Sequence, residues 1–92
     1  MRVVFTRHAL SRLAQRGLDR AWVERTIAQP EWQESDPDPS LLRLFRKIDE
    51  AEGRILRVVV RYEWGEACRV ITAMFDRGAQ PIQVTELDDR DG

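Results

Sequence analysis

The sequence predicts an α+β domain in which two N-terminal helices pack on a curved antiparallel sheet of three to four strands. Two periodicities lead to this prediction. Apolar residues recur every three to four positions over residues 7–28, as in helices, and every second position over residues 41–75, as in strands. Short polar turns separate the later segments, and consecutive strands joined in this way form an antiparallel meander. A chain of 92 residues fits a single domain over residues 1–92.

Capping residues delimit the two predicted helices. Thr6 is a suitable N-cap for a helix over residues 7–16. Gly17 suits the left-handed position that often follows a helix. Asp19 is placed to cap a second helix over residues 20–28.

The segments predicted as strands are short and have turn residues between them. Residues 3–5 fit a short edge strand before the first helix, and an acidic, proline-containing loop over residues 31–40 follows the second helix. Residues 80–87 add a fourth strand after the meander or form a tail. The alternating pattern predicts that Trp64 lies in the core. The meander strands are expected at 41–48, 55–64 and 69–75.

The net charge of −1 hides an uneven distribution. Residues 1–25 carry +4 and residues 41–61 carry +3, whereas the loop 31–40 carries −4 and the tail 86–92, expected to be disordered, carries −3. Fourteen of the fifteen basic residues are arginine, which binds phosphate and carboxylate groups through two parallel hydrogen bonds. A committed nucleic-acid binder is usually basic overall, so the total charge does not favour that class.

Several classes of protein are not expected. Cys68 is the single cysteine, so it forms no intramolecular disulfide, and no Cys/His cluster has zinc-site spacing. Neither a membrane-spanning run nor a signal peptide is recognisable. Nucleotide-binding loops, zinc-protease helices and nucleophile elbows are also missing. We therefore expect a cytoplasmic protein without a metal or cofactor.

His8, Arg12 and Arg16 form the most informative pattern, which we call the basic row. A spacing of four residues places them along one side of the first helix, while Ala9 and Leu13 lie on its core side. Histidine transfers protons near neutral pH, and arginine keeps its charge beside a phosphate. Such residues could cleave RNA without a metal by taking the 2′-hydroxyl proton and stabilising the phosphate. An ordinary solvated helix face, or arginines paired with the acidic loop, would give the same pattern.

The predicted sheet adds further cations. Arg46 points to the apolar side of its strand and therefore needs a partner or an opening. Four other cations of the predicted strands point to the opposite side of the sheet, where they either contact RNA or form a solvated face. These candidate RNA-binding residues are Arg43, Lys47, Arg57 and Arg61.

The segment His8-Ala9-x-x-Arg12-x-x-x-Arg16-Gly17, the aspartate/proline loop and the last strand, residues 70–75, resemble a family of small bacterial domains of unknown function, the domain of unknown function 4258. That family is similar in layout to the RelE/ParE-like toxins and to other compact ribonuclease toxins. The resemblance implies a metal-independent ribonuclease that a partner protein silences. It further implies that His8 transfers protons and that Arg12 and Arg16 position the RNA. Arg46 would stabilise the scissile phosphate, and Thr72 would border the cleft.

Two hypotheses follow. In the first, the protein is an endoribonuclease toxin that binds RNA and a cognate antitoxin protein, and the catalytic residues are His8, Arg46 and Thr72. In the second, it is a non-catalytic RelE-like binding module that engages an acidic partner protein through its arginine-rich face, with a homodimer as one alternative. A membrane is not an expected partner in either case.

Overall fold

Two helices, five strands and a short 3₁₀ turn make up residues 1–80, the part of the chain that the computed structural model describes. The two predicted helices and the α+β class are confirmed. The elements in chain order are β1 (Arg2–Phe5), α1 (Arg7–Arg16), α2 (Arg20–Ala28), β2 (Trp32–Ser35), β3 (Leu42–Ile48), the 3₁₀ turn (Asp49–Ala51), β4 (Arg54–Glu63) and β5 (Ala67–Phe75).

The sheet has the order β1-β5-β4-β3-β2, with β1 parallel to β5 and the other neighbours antiparallel. The predicted antiparallel meander is correct for β3, β4 and β5. The prediction of three to four antiparallel strands is wrong for the whole sheet, which has five strands and one parallel pair. Both helices lie in the connection that follows β1, and a long connection of this kind allows strands to pair in parallel.

β2 lies inside the segment that the sequence predicts as an acidic loop. It pairs with β3, and the Trp32 ring stacks on its cross-strand partner Phe45, with centroids 4.8 Å apart and planes 1° apart. Four residues are too few to show a period of two, so the sequence gives no strand signal here. The stacked aromatic pair stabilises the edge strand instead.

The hydrophobic core lies between the helices and one face of the sheet, which we call the helix face. α1 packs on β5, and α2 packs on β3 and β4. The opposite side of the sheet, the outer face, carries most of the strand arginines. The largest side chains of the core between the helices and the helix face include Val23, Leu44, Ile48, Leu56, Val58, Val60 and Val70.

A β-bulge changes the direction of side chains within β5. Val59 pairs with Thr72 while Val60 pairs with Val70, so Ile71 is the extra residue. Val70 and Ala73 therefore both lie in the core, and Thr72 lies on the outer face. β1 pairs only with residues 67–70 of β5, which leaves the later part of β5 without a strand on that side.

Trp64 is not in the core, contrary to the sequence prediction. Its side chain is 99% exposed, and Tyr62 before it is 49% exposed. β4 ends at Glu63, and Trp64 begins the turn in which Gly65 and Glu66 adopt left-handed conformations. The alternating pattern thus continues beyond the part of the sheet that the helices cover. The expected acidic tail at 86–92, and the expected strand at 80–87 apart from Gln80, lie outside the described residues.

Candidate functional site

Helix α1 begins and ends at the predicted caps. The Thr6 hydroxyl accepts a hydrogen bond from the Ala9 backbone N–H at 2.9 Å, which satisfies one of the free N–H groups of the first turn. Gly17 ends the helix with φ 65°, a conformation that glycine adopts without steric penalty. Because Ala9 and Leu13 are buried, the orientation of the helix about its axis is set, and the basic row lies on the remaining side.

Two members of the basic row contact each other. The Arg12 Nε donates a hydrogen bond to the His8 Nε2 at 3.4 Å, and the Arg12 Nη1 donates to the Gln15 side chain at 3.5 Å. His8 is exposed. In this contact the His8 Nε2 is the acceptor, and the nitrogen becomes available to another group when the Arg12 side chain turns away.

Arg16 joins the helix to the open edge of β5. Its Nη1 donates to the Ala73 carbonyl oxygen at 2.7 Å and to the Thr72 Oγ1 at 3.2 Å. The Ala73 carbonyl is available because β1 ends at the level of Val70. Arg16 and Thr72, which the family resemblance implies are parts of one site, are therefore in contact across 56 residues of chain.

Arg46 occupies a different position. It lies on the helix face of β3, and its Nη1 donates to the Gln29 carbonyl oxygen at 2.8 Å, at the C-terminal end of α2. Its register partner is Leu56 on β4, and Leu56 in turn pairs with Phe75 on β5. Two strand spacings, about 10 Å, therefore separate its backbone from β5. No hydrogen bond in residues 1–80 joins Arg46 to the basic row or to Thr72.

The remaining candidate cations lie on the outer face, and most are ion-paired there. Arg43 contacts the Asp36 carboxylate at 2.8 Å, and Arg57 contacts Asp76 at 3.2 Å. The backbone N–H of Asp38 and the Arg43 guanidinium hold the pKa of Asp36 below its ordinary value. Lys47 also belongs to this face by its position on β3.

Arg61 shares one carboxylate with a residue that the sequence did not single out. Arg61 and Arg69 are register partners, and both contact the Glu63 Oε2, at 3.1 and 2.8 Å. The hydrogen bond from Arg69, and then that from Arg61, lowers the pKa of Glu63. The sequence signal for this cluster would have been the placement of Arg61 and Glu63 on the same side of β4.

The arginines therefore divide into two groups. Six form ion pairs with carboxylates within residues 1–80, whereas the other arginines there do not. Arg12 and Arg16 belong to the second group and contact only neutral acceptors. The acidic loop does not neutralise the row within the described residues, because Asp36 pairs with Arg43 and Glu34 accepts from the Trp32 ring nitrogen. The six ion-paired arginines are Arg20, Arg25, Arg43, Arg57, Arg61 and Arg69.

Other kinds of site receive no support from the described residues. Over residues 1–80, no group of three or more His, Cys, Asp and Glu side chains could hold a metal ion. Cys68 is buried, and burial raises the pKa of its thiol, so the group is protonated at neutral pH. None of the described helices is long and apolar enough to cross a membrane.

Comparison with known proteins identifies the family. No curated protein and no solved structure matches the chain. One family model does match, over residues 5–75, which include all of α1, α2 and the sheet from β2 to β5. The chain therefore belongs to the family described as Domain of unknown function (DUF4258).

Proposed function

We propose that the protein is a metal-independent endoribonuclease whose site consists of the basic row and Thr72. One observation carries this proposal: Arg12 and Arg16 have no carboxylate partner within residues 1–80, although six other arginines do. Uncompensated guanidinium groups beside a histidine attract a phosphodiester, whereas ion-paired ones must first lose a partner. The resemblance to RelE/ParE-like toxins further suggests that the enzyme is the toxin of a toxin–antitoxin pair.

The proposed reaction uses the 2′-hydroxyl of the RNA as its nucleophile. Once the Arg12 guanidinium has turned from His8 to the phosphate, the His8 Nε2 accepts the 2′-hydroxyl proton as the 2′-oxygen attacks the adjacent phosphorus, and the bond from phosphorus to the 5′-oxygen breaks. The products are a 2′,3′-cyclic phosphate and a 5′-hydroxyl. His8 is the only histidine of the chain, so a water molecule supplies the proton that the leaving 5′-oxygen takes up.

The arginines and Thr72 would act on the phosphate itself. Arg12 and Arg16 would bind its non-bridging oxygens and stabilise the charge that develops in the transition state. The Thr72 Oγ1 accepts a hydrogen bond from Arg16, so its own hydroxyl proton is free to be donated to the phosphate. Arg46 has no part in this mechanism, because its backbone lies two strand spacings from β5 and its guanidinium is held at the end of α2.

A second candidate function is a binding module that engages an acidic partner protein through the same row. The exposed position of the row favours it. Two cavities of residues 1–80 are lined by other parts of the chain, and neither includes His8, Arg12 or Arg16. An exposed basic surface suits an acidic protein partner as well as it suits RNA.

Cleavage of matched RNA and DNA strands tests the proposed function. A labelled single-stranded RNA and a strand of the same sequence lacking every 2′-hydroxyl are incubated with the protein in EDTA. We expect the RNA alone to be cut, with 2′,3′-cyclic phosphate ends. His8→Ala should lower the rate about 10²- to 10⁴-fold while strand binding persists, since general base catalysis contributes that much. Arg16→Ala should weaken binding and cleavage, and Arg61→Ala, the matched control, should change neither.

The outcomes separate the candidate functions. Binding of both strands without any cleavage would favour the binding module. Equal effects of Arg16→Ala and Arg61→Ala would contradict the assignment of the site. Induced expression in a bacterial host tests the toxin role, because the wild type should arrest growth and His8→Ala should not.

A further inference from the structure

A cavity of about 260 Å³ lies where β4 begins and β5 ends. Its lining includes two arginines, Arg54 and Arg77, an aromatic ring, Phe75, and the small side chain of Ala79. Its volume is close to the lower end of the range for small-molecule sites, which is roughly 300–1,000 Å³. The cavity therefore has room for one ring-sized group with polar atoms at its rim.

Arg54 is held over an aromatic ring at this cavity. Its guanidinium carbon lies 4.1 Å from the centre of the Phe75 ring, and its Nε donates a hydrogen bond to the Ala51 carbonyl oxygen at 3.1 Å. Trp22 packs against Phe75 with ring centroids 6.2 Å apart and fixes that ring in turn. Arg54 is still exposed, so part of its guanidinium group remains accessible to a ligand. A fixed guanidinium plane is a surface on which nucleobases stack.

The charge at the cavity is positive. Neither Arg54 nor Arg77 forms an ion pair with a carboxylate of residues 1–80. Asp76 also lines the cavity, but both of its oxygens are engaged: Oδ2 pairs with Arg57 at 3.2 Å and Oδ1 accepts from the Gly78 N–H at 2.9 Å. The site therefore combines a stacking surface with an available cation.

We propose that this cavity binds a nucleotide, with the base stacked on Arg54 and the phosphate bound by Arg77. The cavity is near the basic row, because Phe75 follows Ala73 by two residues on the same face of β5, about 7 Å along the strand. Arg16 contacts the Ala73 carbonyl oxygen. The role of the cavity rests on the proposed function: it would hold a nucleotide of the RNA beside the phosphate that the row binds.

Titration of the full chain with adenosine 5′-monophosphate, adenosine and inorganic phosphate, followed by amide NMR shifts, tests this inference. We expect the monophosphate to shift amides at residues 53–55 and 75–79 and to bind more tightly than the other two. Arg54→Lys keeps the charge and removes the planar surface, so its affinity should fall about tenfold, as expected for a lost base stack. Arg77→Ala should reduce the affinity for the monophosphate to that for adenosine. Arg61→Ala is the control and should have no effect.

Two results would overturn the inference: no amide shifts at the cavity, or the same affinity in Arg54→Lys and the wild type. Arg77 is exposed and has no hydrogen bond in residues 1–80, so its removal does not endanger folding. The inference and the proposed function can fail separately. If the wild-type protein binds adenosine 5′-monophosphate at the cavity but never cleaves RNA, the result would support the nucleotide site and contradict the proposed ribonuclease activity. Unchanged cleavage without any binding at the cavity would refute the site alone.

Discussion

Removal of one arginine should change the salt dependence of strand binding only where that arginine lacks a carboxylate partner. For single strands, the logarithm of the affinity falls with the logarithm of the salt concentration by about 0.7 for each phosphate that is neutralised. Arg12 and Arg16 together should therefore contribute a slope of about 1.4. Raising NaCl from about 50 to 200 mM should weaken their share of binding about sevenfold, and Arg16→Ala should reduce this factor to about threefold.

The assay is fluorescence anisotropy with the strand that lacks 2′-hydroxyls, because it cannot be cleaved by the proposed reaction. Arg16→Ala and Arg61→Ala lower the net charge equally, so long-range electrostatic effects cancel in their comparison. Arg61 contacts the Glu63 carboxylate at 3.1 Å and should leave the slope unchanged. If the two variants reduced the slope by the same amount, carboxylate pairing would not determine which arginines bind phosphate, and the reasoning behind the proposed site would be refuted.

Three further predictions concern the fold. Gly17→Ala should lower the free energy of unfolding by about 1 kcal/mol in urea titrations, because an alanine at φ 65° is strained; an unchanged midpoint would contradict this. Arg25 holds the pKa of Glu50 at about 2, below its ordinary 4.5. A carboxylate whose pKa is lower in the folded state stabilises the fold at pH values above its unfolded-state pKa, and protonation of the carboxylate removes this stabilisation. The free energy of unfolding should therefore fall as the pH drops from 4.5 toward 2, and it should fall less steeply in Glu50→Gln. Trp64→Ser should change the free energy of unfolding by less than about 0.5 kcal/mol, whereas Leu56→Ala should lower it by about 2–5 kcal/mol; equal effects in thermal melts would place Trp64 in the core.

The helices were predictable to the residue because their signals are local. Thr6 and Asp19 accept hydrogen bonds from backbone N–H groups three and two residues away, respectively, and Gly17 takes the left-handed conformation that few other residues adopt. These interactions depend only on neighbours in the chain. A single sequence therefore contains the information needed to place both ends of α1 and the start of α2.

Strand pairing is not local, and there the predictions were incomplete. Nothing in residues 2–5 indicates that β1 will pair in parallel with a strand more than sixty residues later. The extra residue at Ile71 has no sequence signal either, although it decides that Thr72 lies on the outer face. The prediction that Trp64 lies in the core was wrong for a related reason. An alternating pattern identifies one side of the sheet, but a residue on that side is buried only where a helix covers it.

Part of the candidate site was also predictable. The basic row follows from helical spacing alone, and Thr72 was proposed with it from the family resemblance. Which acceptor each arginine contacts was not predictable, because Arg16 meets the Ala73 carbonyl only where β1 ends. The same applies to Arg54, whose position on Phe75 depends on the pairing of β4 with β5.

The near-neutral total charge is compatible with an anion-binding site once the ion pairs are assigned. The outer face contains cations that neighbouring carboxylates neutralise, as Asp36 does for Arg43 and Asp76 does for Arg57. Each such pair contributes little to the field outside the protein, although both of its charges enter the total count. The field at a surface depends on uncompensated charges nearby, and among residues 1–80 Arg12 and Arg16 supply two of them on adjacent turns of α1. A total charge of −1 therefore says little about what the basic row can bind, and the partners of the individual arginines say more.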